Sequence, residues 1–380
     1  MMQLSGIFCR KYMAEIAEQQ LENIFSDHRI ETYSLIRLAD YPAAEREEMT
    51  RHYKKWIDRG MHGEMEYLSR HTPLKYYPEK IVPGAETVIL MVFPYYQASS
   101  GDSIPPSEGR IARYAWGRDY HKIIKRKLKA LISSLRETCP DGIFRGFVDT
   151  SPLDERVFSA RSRLGHIGRN GLLITPGFGS WAFIAEIITS VRIRDAGGSG
   201  RNPAPGPDTD PFIRNMCPPD CLNCRRSCPT GALRPGGGFE AGLCISYLTI
   251  EYRGPIPREL RPLMGNRLFG CDQCQDACPL NREVSHTSEP GFLRHIAGES
   301  VSLEKVLLLR SREEMELLFA GSPVMRISLS QLLRNALVVA GNSGECGLLP
   351  VVRDLLRHED RMVAEHAQWA EQRLSCYNQM

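Results

Sequence analysis

Two short cysteine runs carry the clearest chemistry in this chain. The first is Cys217-x3-Cys221-x2-Cys224-x3-Cys228-Pro229, and the second is Cys271-x2-Cys274-x3-Cys278-Pro279, with Cys244 between them. Both end in the Cys-Pro that closes a bacterial ferredoxin cluster motif. Two such runs predict two [4Fe-4S] clusters and one-electron transfer. In two-cluster ferredoxins the Cys before Pro leaves its own run and ligates the other cluster. That crossing gives one cluster on Cys217, Cys221, Cys224 and Cys278. The second takes Cys228, Cys271, Cys274 and, to complete four, Cys244. All eight cysteines of the region are then used. A pair of zinc sites is the competing use of CxxC units, but zinc does not explain the Pro after each final Cys. The first run departs from the usual spacing, with three residues between Cys217 and Cys221. Pro218 and Pro219 have to loop out the extra one.

Composition limits the rest. The chain has 380 residues, long enough for two or three domains, with 42% hydrophobic and 24% charged residues. Net charge is +3, so any nucleic-acid contact has to come from a local basic patch. The first twenty residues lack a signal-peptide core, and no stretch reaches the ~18 apolar residues that span a bilayer. A cytoplasmic protein with no membrane contact is expected. There, cysteines at metal spacing read as ligands rather than disulfides. Cys9, Cys139, Cys346 and Cys376 lie outside the runs and read as free thiols.

The N-terminal half reads as α/β. Helical stretches over 10–27 and 43–60 alternate with short apolar runs, TVILMVF from Thr87 and WAFIAEII from Trp181, which suit buried strands. Between them, residues 119–136 place Ile124, Leu128, Leu131 and Leu135 at helical spacing, with five Lys and Arg on other positions. Residues 195–220, rich in Gly and Pro, read as a linker or loop. From about 290 the chain reads as helices only: one amphipathic stretch over 301–319, one over 327–344 with a Gly stop, and a pair over 348–357 and 361–374. This suggests a short HEAT-like piece packed on the cysteine region.

The N-terminal half has no dinucleotide fingerprint, P-loop, HExxH or nucleophile elbow. Nor does it have the Asp-x-His-x-x-Gly stretch that supplies a histidine to cobalamin. GHIGRNG (165–171) reads as a tight turn close to a ligand. Asp149 follows Phe147-Val148 directly, so it stands where a strand end faces a pocket; a turn or helix-cap role is the simpler reading. His121, His166 and His366 read by default as surface or core histidines, and the Lys/Arg face of 119–136 as a solvated one.

Several strings together resemble one family: GMHGEMEYL (60–68), RYAWGRDYH (113–121), VDTSPLDER (148–156), IGRNGLLITPGFGSW (167–181), CPTGAL (228–233), CISYLTIE (244–251) and GNRLFGCDQCQDACP (265–279). The chain resembles the epoxyqueuosine reductases, which make queuosine at the wobble position of tRNA. RNALVVAGNSG and VAEHAQWA resemble that family's HEAT-like tail.

The resemblance implies a nitroreductase-like α/β cobalamin-binding domain (1–200), a bacterial ferredoxin-like two-cluster domain (201–290) and an all-α HEAT-like domain (291–380). It implies base-off cobalamin, two-electron epoxide deoxygenation by Co(I) fed from the clusters, and Asp149 as proton donor from an apolar pocket. The cofactor pocket would take Arg113, Trp116, Asp149, Asn170, Leu173, Ile184, Ser246, Arg253 and Asp272. Expected partners are the anticodon stem-loop of a tRNA and an external one-electron donor, with the enzyme a monomer. The basic face of 119–136 and Arg326, Arg334, Arg353 and Arg357 are candidates for phosphate contact. His166 stands where the family commonly has Trp. The other functions in view are a cobalamin-dependent reductive dehalogenase, which commonly carries an export signal, and a ferredoxin-type electron carrier without catalysis.

Overall fold

The computed structural model describes residues 14–101, 103–194, 217–235, 238–293 and 295–377. The expected linker at 195–216 and Cys9 lie outside them. The N-terminal half is built on a four-stranded antiparallel sheet in the order Tyr33–Arg37, Thr87–Pro94, Ala182–Thr189, Phe144–Phe147. The two apolar runs seen in the sequence are its two central strands. Alternate residues of Thr87–Pro94 serve opposite faces. Ile89, Met91 and Phe93 pack under the helix Tyr120–Thr138 through its Ile124, Leu128, Leu131 and Leu135. Val88, Leu90 and Val92 pack on the other face with Phe158 of the helix Glu155–Arg161. Both faces are covered, which is why these strands read as continuous apolar runs.

The cysteine region and the tail share one core. Ile245, Leu248, Met264 and Phe269 pack with Leu333, Leu337 and Val338 of the helix Leu329–Ser343. A three-stranded sheet joins Glu108–Ile111 to Arg267–Phe269 and Ser300–Ser302, one strand from each part of the chain. Its strands tie the N-terminal half to both later parts.

The tail differs from the reading at one point. The stretch 301–319 forms not one helix but two, Leu303–Leu307 and Arg312–Phe319. Ser311 has extended backbone, and its side chain accepts from the Glu314 N–H, so a new helix starts there. The helix Leu329–Ser343 ends on Gly344 at φ 71°, as the Gly stop predicts. His366 is the core histidine expected of it: it accepts from the Ile256 N–H, and burial lowers its pKa to about 4, keeping the ring neutral.

Arg334 is a correction. It was a candidate for phosphate contact, but it is fully buried and donates to the carbonyls of Tyr252, Gly254 and Leu248 and to the Asn335 side chain. It clamps the cysteine region to the tail. Arg334→Ala strands several buried carbonyls. It is expected to lower unfolding free energy by about 3 kcal/mol or more, read as an earlier denaturant midpoint.

Candidate functional site: two thiol groups beside an acidic cleft

The seven cysteines of the two runs, with Cys244, fall into two groups. Cys217, Cys221, Cys224 and Cys278 line one cavity with Arg169, Asn170, Ile174 and Leu280. Burial raises the Cys224 thiol, and negative charge on Cys217, Cys278 and Cys221 raises it further. Burial pushes Cys271 up to about 11, with a contribution from Cys244. Cys274 is raised by burial and by Cys271 and Cys244, and Cys244 by burial and by Cys228. The groups adjoin, because Cys224 also acts on Cys274. Four thiolates this close repel one another, and iron removes that penalty by neutralising them. Among the described residues, no three His, Cys, Asp or Glu side chains converge tightly enough for a single metal ion.

The extra residue of the first run is absorbed where the prolines stand: the Cys221 N–H donates to the Pro218 carbonyl at 3.0 Å, closing a turn over Pro219 and Asp220. GHIGRNG forms a hairpin, His166–Ile167 against Leu173–Ile174. Its Arg169 donates to the Cys221 and Pro219 carbonyls, holding the hairpin against this run. A Cβ on Gly165 would clash with the backbone carbonyl oxygen of Ile174, so the hairpin needs glycine there.

On the other side of the hairpin lies an open cleft of about 180 Å³. Leu172, Leu173, Ala182, Phe183 and Ile184 make it largely apolar, and Asp149, Glu155, Arg156, Tyr120 and Ser180 supply its polar atoms. Asp149 is not a helix cap; Asp154 caps the helix Glu155–Arg161. Asp149 has φ 50°, a left-handed backbone uncommon outside glycine. The Tyr120 hydroxyl donates to its Oδ2 at 2.6 Å. Its side chain is 58% exposed, so the apolar burial expected around it is not supplied by the protein alone. Deeper in, Glu186 is buried, and burial together with the negative charge of Glu155 raises its carboxyl well above the usual range.

With cavity and cleft in view, known proteins can be set beside them. A family model described as "Epoxyqueuosine reductase QueG, DUF1730" matches residues 75–150, and one described as "4Fe-4S double cluster binding domain" matches 217–281. The epoxyqueuosine reductase of Aliivibrio fischeri is 35% identical over 323 residues, covering 83% of this chain and 82% of the relative. The chain belongs to the epoxyqueuosine reductase family. The Escherichia coli member is 35% identical, covering 83% of this chain and 80% of its own. A crystal structure of an epoxyqueuosine reductase with an epoxyqueuosine-modified tRNA-Tyr stem loop superposes with TM-score 0.78 at 25% identity, covering 94% of this chain and 90% of the other. Like its relatives, the chain is an oxidoreductase with a double-cluster iron–sulfur domain.

Within this reductase, the residues expected around the cofactor do not all meet. Asp149, Leu173 and Ile184 share the cleft. Asn170 is buried on the cysteine side of the hairpin, with its Nδ2 unpartnered among the described residues. Arg113 and Trp116 do not line this cleft. Arg113 is buried against Trp181 and Trp116, donates to the Gln97 carbonyl and Asp276, and its backbone N–H donates to Asp272 Oδ2 at 2.6 Å. Trp116 is buried, its Nε1 donating to the Ile111 carbonyl. Burial pushes Asp272 up to about 6, against the opposing pull of Arg113. Arg113 and Asp272 thus join the N-terminal half to the second cysteine run. Ser246 is half-buried and Arg253 exposed, both just beyond Cys244. The charges of Asp149, Arg253 and Arg326 all act on Glu251 between them.

Sequence reading missed Tyr120 and His121. Both follow the N-cap Asp119, and both reach Asp149. They lie in RYAWGRDYH, so the string marked the place but not the contact.

Proposed function

We propose that this chain reduces epoxyqueuosine to queuosine at the wobble position of tRNA, in the cytoplasm, using cobalamin fed by two [4Fe-4S] clusters. The observation that carries it is the carboxylate of Asp149, held in left-handed backbone at the edge of an apolar cleft, with a hairpin between that cleft and a cavity of four thiols. The reaction consumes two electrons and two protons and gives an alkene and water. The clusters hand on electrons singly, received from an external one-electron donor. Cobalamin, when bound, supplies a centre that collects two of them.

The lining fits that group. Its apolar residues suit a flat macrocycle. Leu173 and Ile184 would support the ring, with Ser246, Arg253 and Asp272 toward the clusters. Cys217, Cys221, Cys224 and Cys278 would hold the first cluster; Cys228, Cys244, Cys271 and Cys274 the second. Asp149 protonates the leaving oxygen, and Tyr120 fixes the carboxyl through its hydroxyl. Among the described residues, no helix is long and apolar enough to cross a membrane.

Titration of the anaerobic protein with cobalamin should shift the cofactor's visible spectrum to that of a protein-bound base-off form, and an unchanged spectrum would remove the cofactor from the scheme. The tRNA is drawn in by charge. Lys122, Lys125, Arg126 and Lys129 are exposed on one helix, as are Arg353 and Arg357 on the tail. Affinity for an anticodon stem-loop is expected to fall at least roughly 10-fold between about 50 and 200 mM salt. A flat response would point to a free nucleoside as substrate.

A further inference from the structure

Both protons of the reaction end on the same oxygen. A single carboxyl delivers one at a time, so Asp149 has to be reloaded. We propose that His121 restores the proton to Asp149, with Asp119 and Arg326 holding its ring for that task. The inference rests on the reading of Asp149 as proton donor.

Tyr120 and His121 are the side chains described at the Asp149 carboxylate. Tyr120 is a poor proton source. Burial and the charge of Asp149 raise its phenol far above the usual range, so it donates a hydrogen bond and keeps its proton. Its ring is stacked on Phe183 at 4.0 Å, which fixes it. His121 is the other side chain there, and an imidazole can both take up and give a proton. Its Nε2 lies 3.8 Å from Asp149 Oδ2. That gap is spanned by a small rotation of the exposed Asp149 side chain or by one water.

The far side of the ring is built. His121 is only 6% exposed, and its backbone N–H donates to Asp119 Oδ1 at 3.0 Å. Its Nδ1 lies 3.3 Å from the same oxygen. Arg326, from the tail, donates to both Asp119 oxygens at 3.1 and 3.2 Å and to His121 Nδ1. A guanidinium only donates, so in the neutral ring Nδ1 accepts and the proton sits on Nε2, facing Asp149. When the ring takes a second proton at Nδ1, that N–H has Asp119 Oδ1 to donate to. Burial works to raise Asp119, but the hydrogen bonds from His121 and the charge of Arg326 outweigh it and bring it down to about 2. Asp119 therefore remains an anion between the ring and Arg326. Protons enter from the Arg326 side, where that side chain is 38% exposed. His121 acts through Asp149 and is a positioning and relay residue.

The test uses anaerobic, cluster- and cobalamin-loaded full-length protein with an epoxyqueuosine tRNA stem-loop. Wild type, Asp149→Asn, His121→Phe and His121→Gln are compared across the neutral pH range. Turnover by His121→Phe is expected to fall roughly 10- to 100-fold and to lose the wild-type pH dependence. Stem-loop affinity and cluster absorption should match wild type, and added imidazole should restore part of the rate of a His121→Ala variant, which leaves the ring's space empty. His121→Gln keeps a polar ring-sized contact with Asp119 but carries no exchangeable acid, so it should behave like Phe; it also decides the matter if the Phe variant does not fold. Wild-type rate and pH profile in either variant would overturn the relay. An inactive wild type, or an active Asp149→Asn, would instead overturn the reading on which it rests.

Discussion

Asp149→Asn is expected to cut turnover by about 10²- to 10⁴-fold while leaving clusters, cobalamin and tRNA bound. The amide is nearly isosteric with the carboxyl and its oxygen still accepts from the Tyr120 hydroxyl. Asn also tolerates the left-handed region, so the φ of 50° is kept. What it lacks is a proton to give to the leaving oxygen. Ala at the same position would confuse loss of the proton with loss of the loop conformation. The measurement is single-turnover product formation from modified stem-loop RNA, beside absorption spectra of the same samples. Retained wild-type turnover would remove Asp149 from the chemistry.

The second large effect concerns how the thiols are shared. Cys221→Ala combined with Cys278→Ala strikes two different cysteine runs. Under the crossed arrangement both residues belong to the first cluster, and iron per chain should fall by about half, with the second cluster still visible by absorption and electron paramagnetic resonance. If each run kept its own final cysteine, the same pair would damage both clusters and nearly all iron would be lost. The cavity lined by Cys217, Cys221, Cys224 and Cys278 favours the first outcome. Electron delivery, and so turnover, should be lost in either case, which makes iron content the deciding readout.

Much of this was legible in the residues. Cysteine spacing is local and strict, so the two runs announced their chemistry. The strands Thr87–Pro94 and Ala182–Thr189 were visible because burial on both faces leaves an unbroken apolar run. The long basic helix was visible from Ile124, Leu128, Leu131 and Leu135. What escaped was long-range. Arg334 looked like any cation on a helix, and only the fold brings the carbonyls of Leu248, Tyr252 and Gly254 to it. His121 looked like an ordinary histidine because its partners come from the loop at Asp149 and from Arg326 in the tail. The left-handed backbone of Asp149 has no signature in an Asp-Thr-Ser-Pro string. Arg113 and Trp116 show the converse: the string located them, but their side chains are spent inside the protein.

The most direct measurement is the mass of the modified nucleoside after anaerobic incubation of epoxyqueuosine stem-loop RNA with the cluster-loaded protein, cobalamin and a one-electron reductant. Conversion to queuosine, lighter by one oxygen atom, only when cobalamin and both clusters are present, is the expected result. Unchanged epoxyqueuosine with the fully loaded protein, or equal conversion without cobalamin, would contradict it.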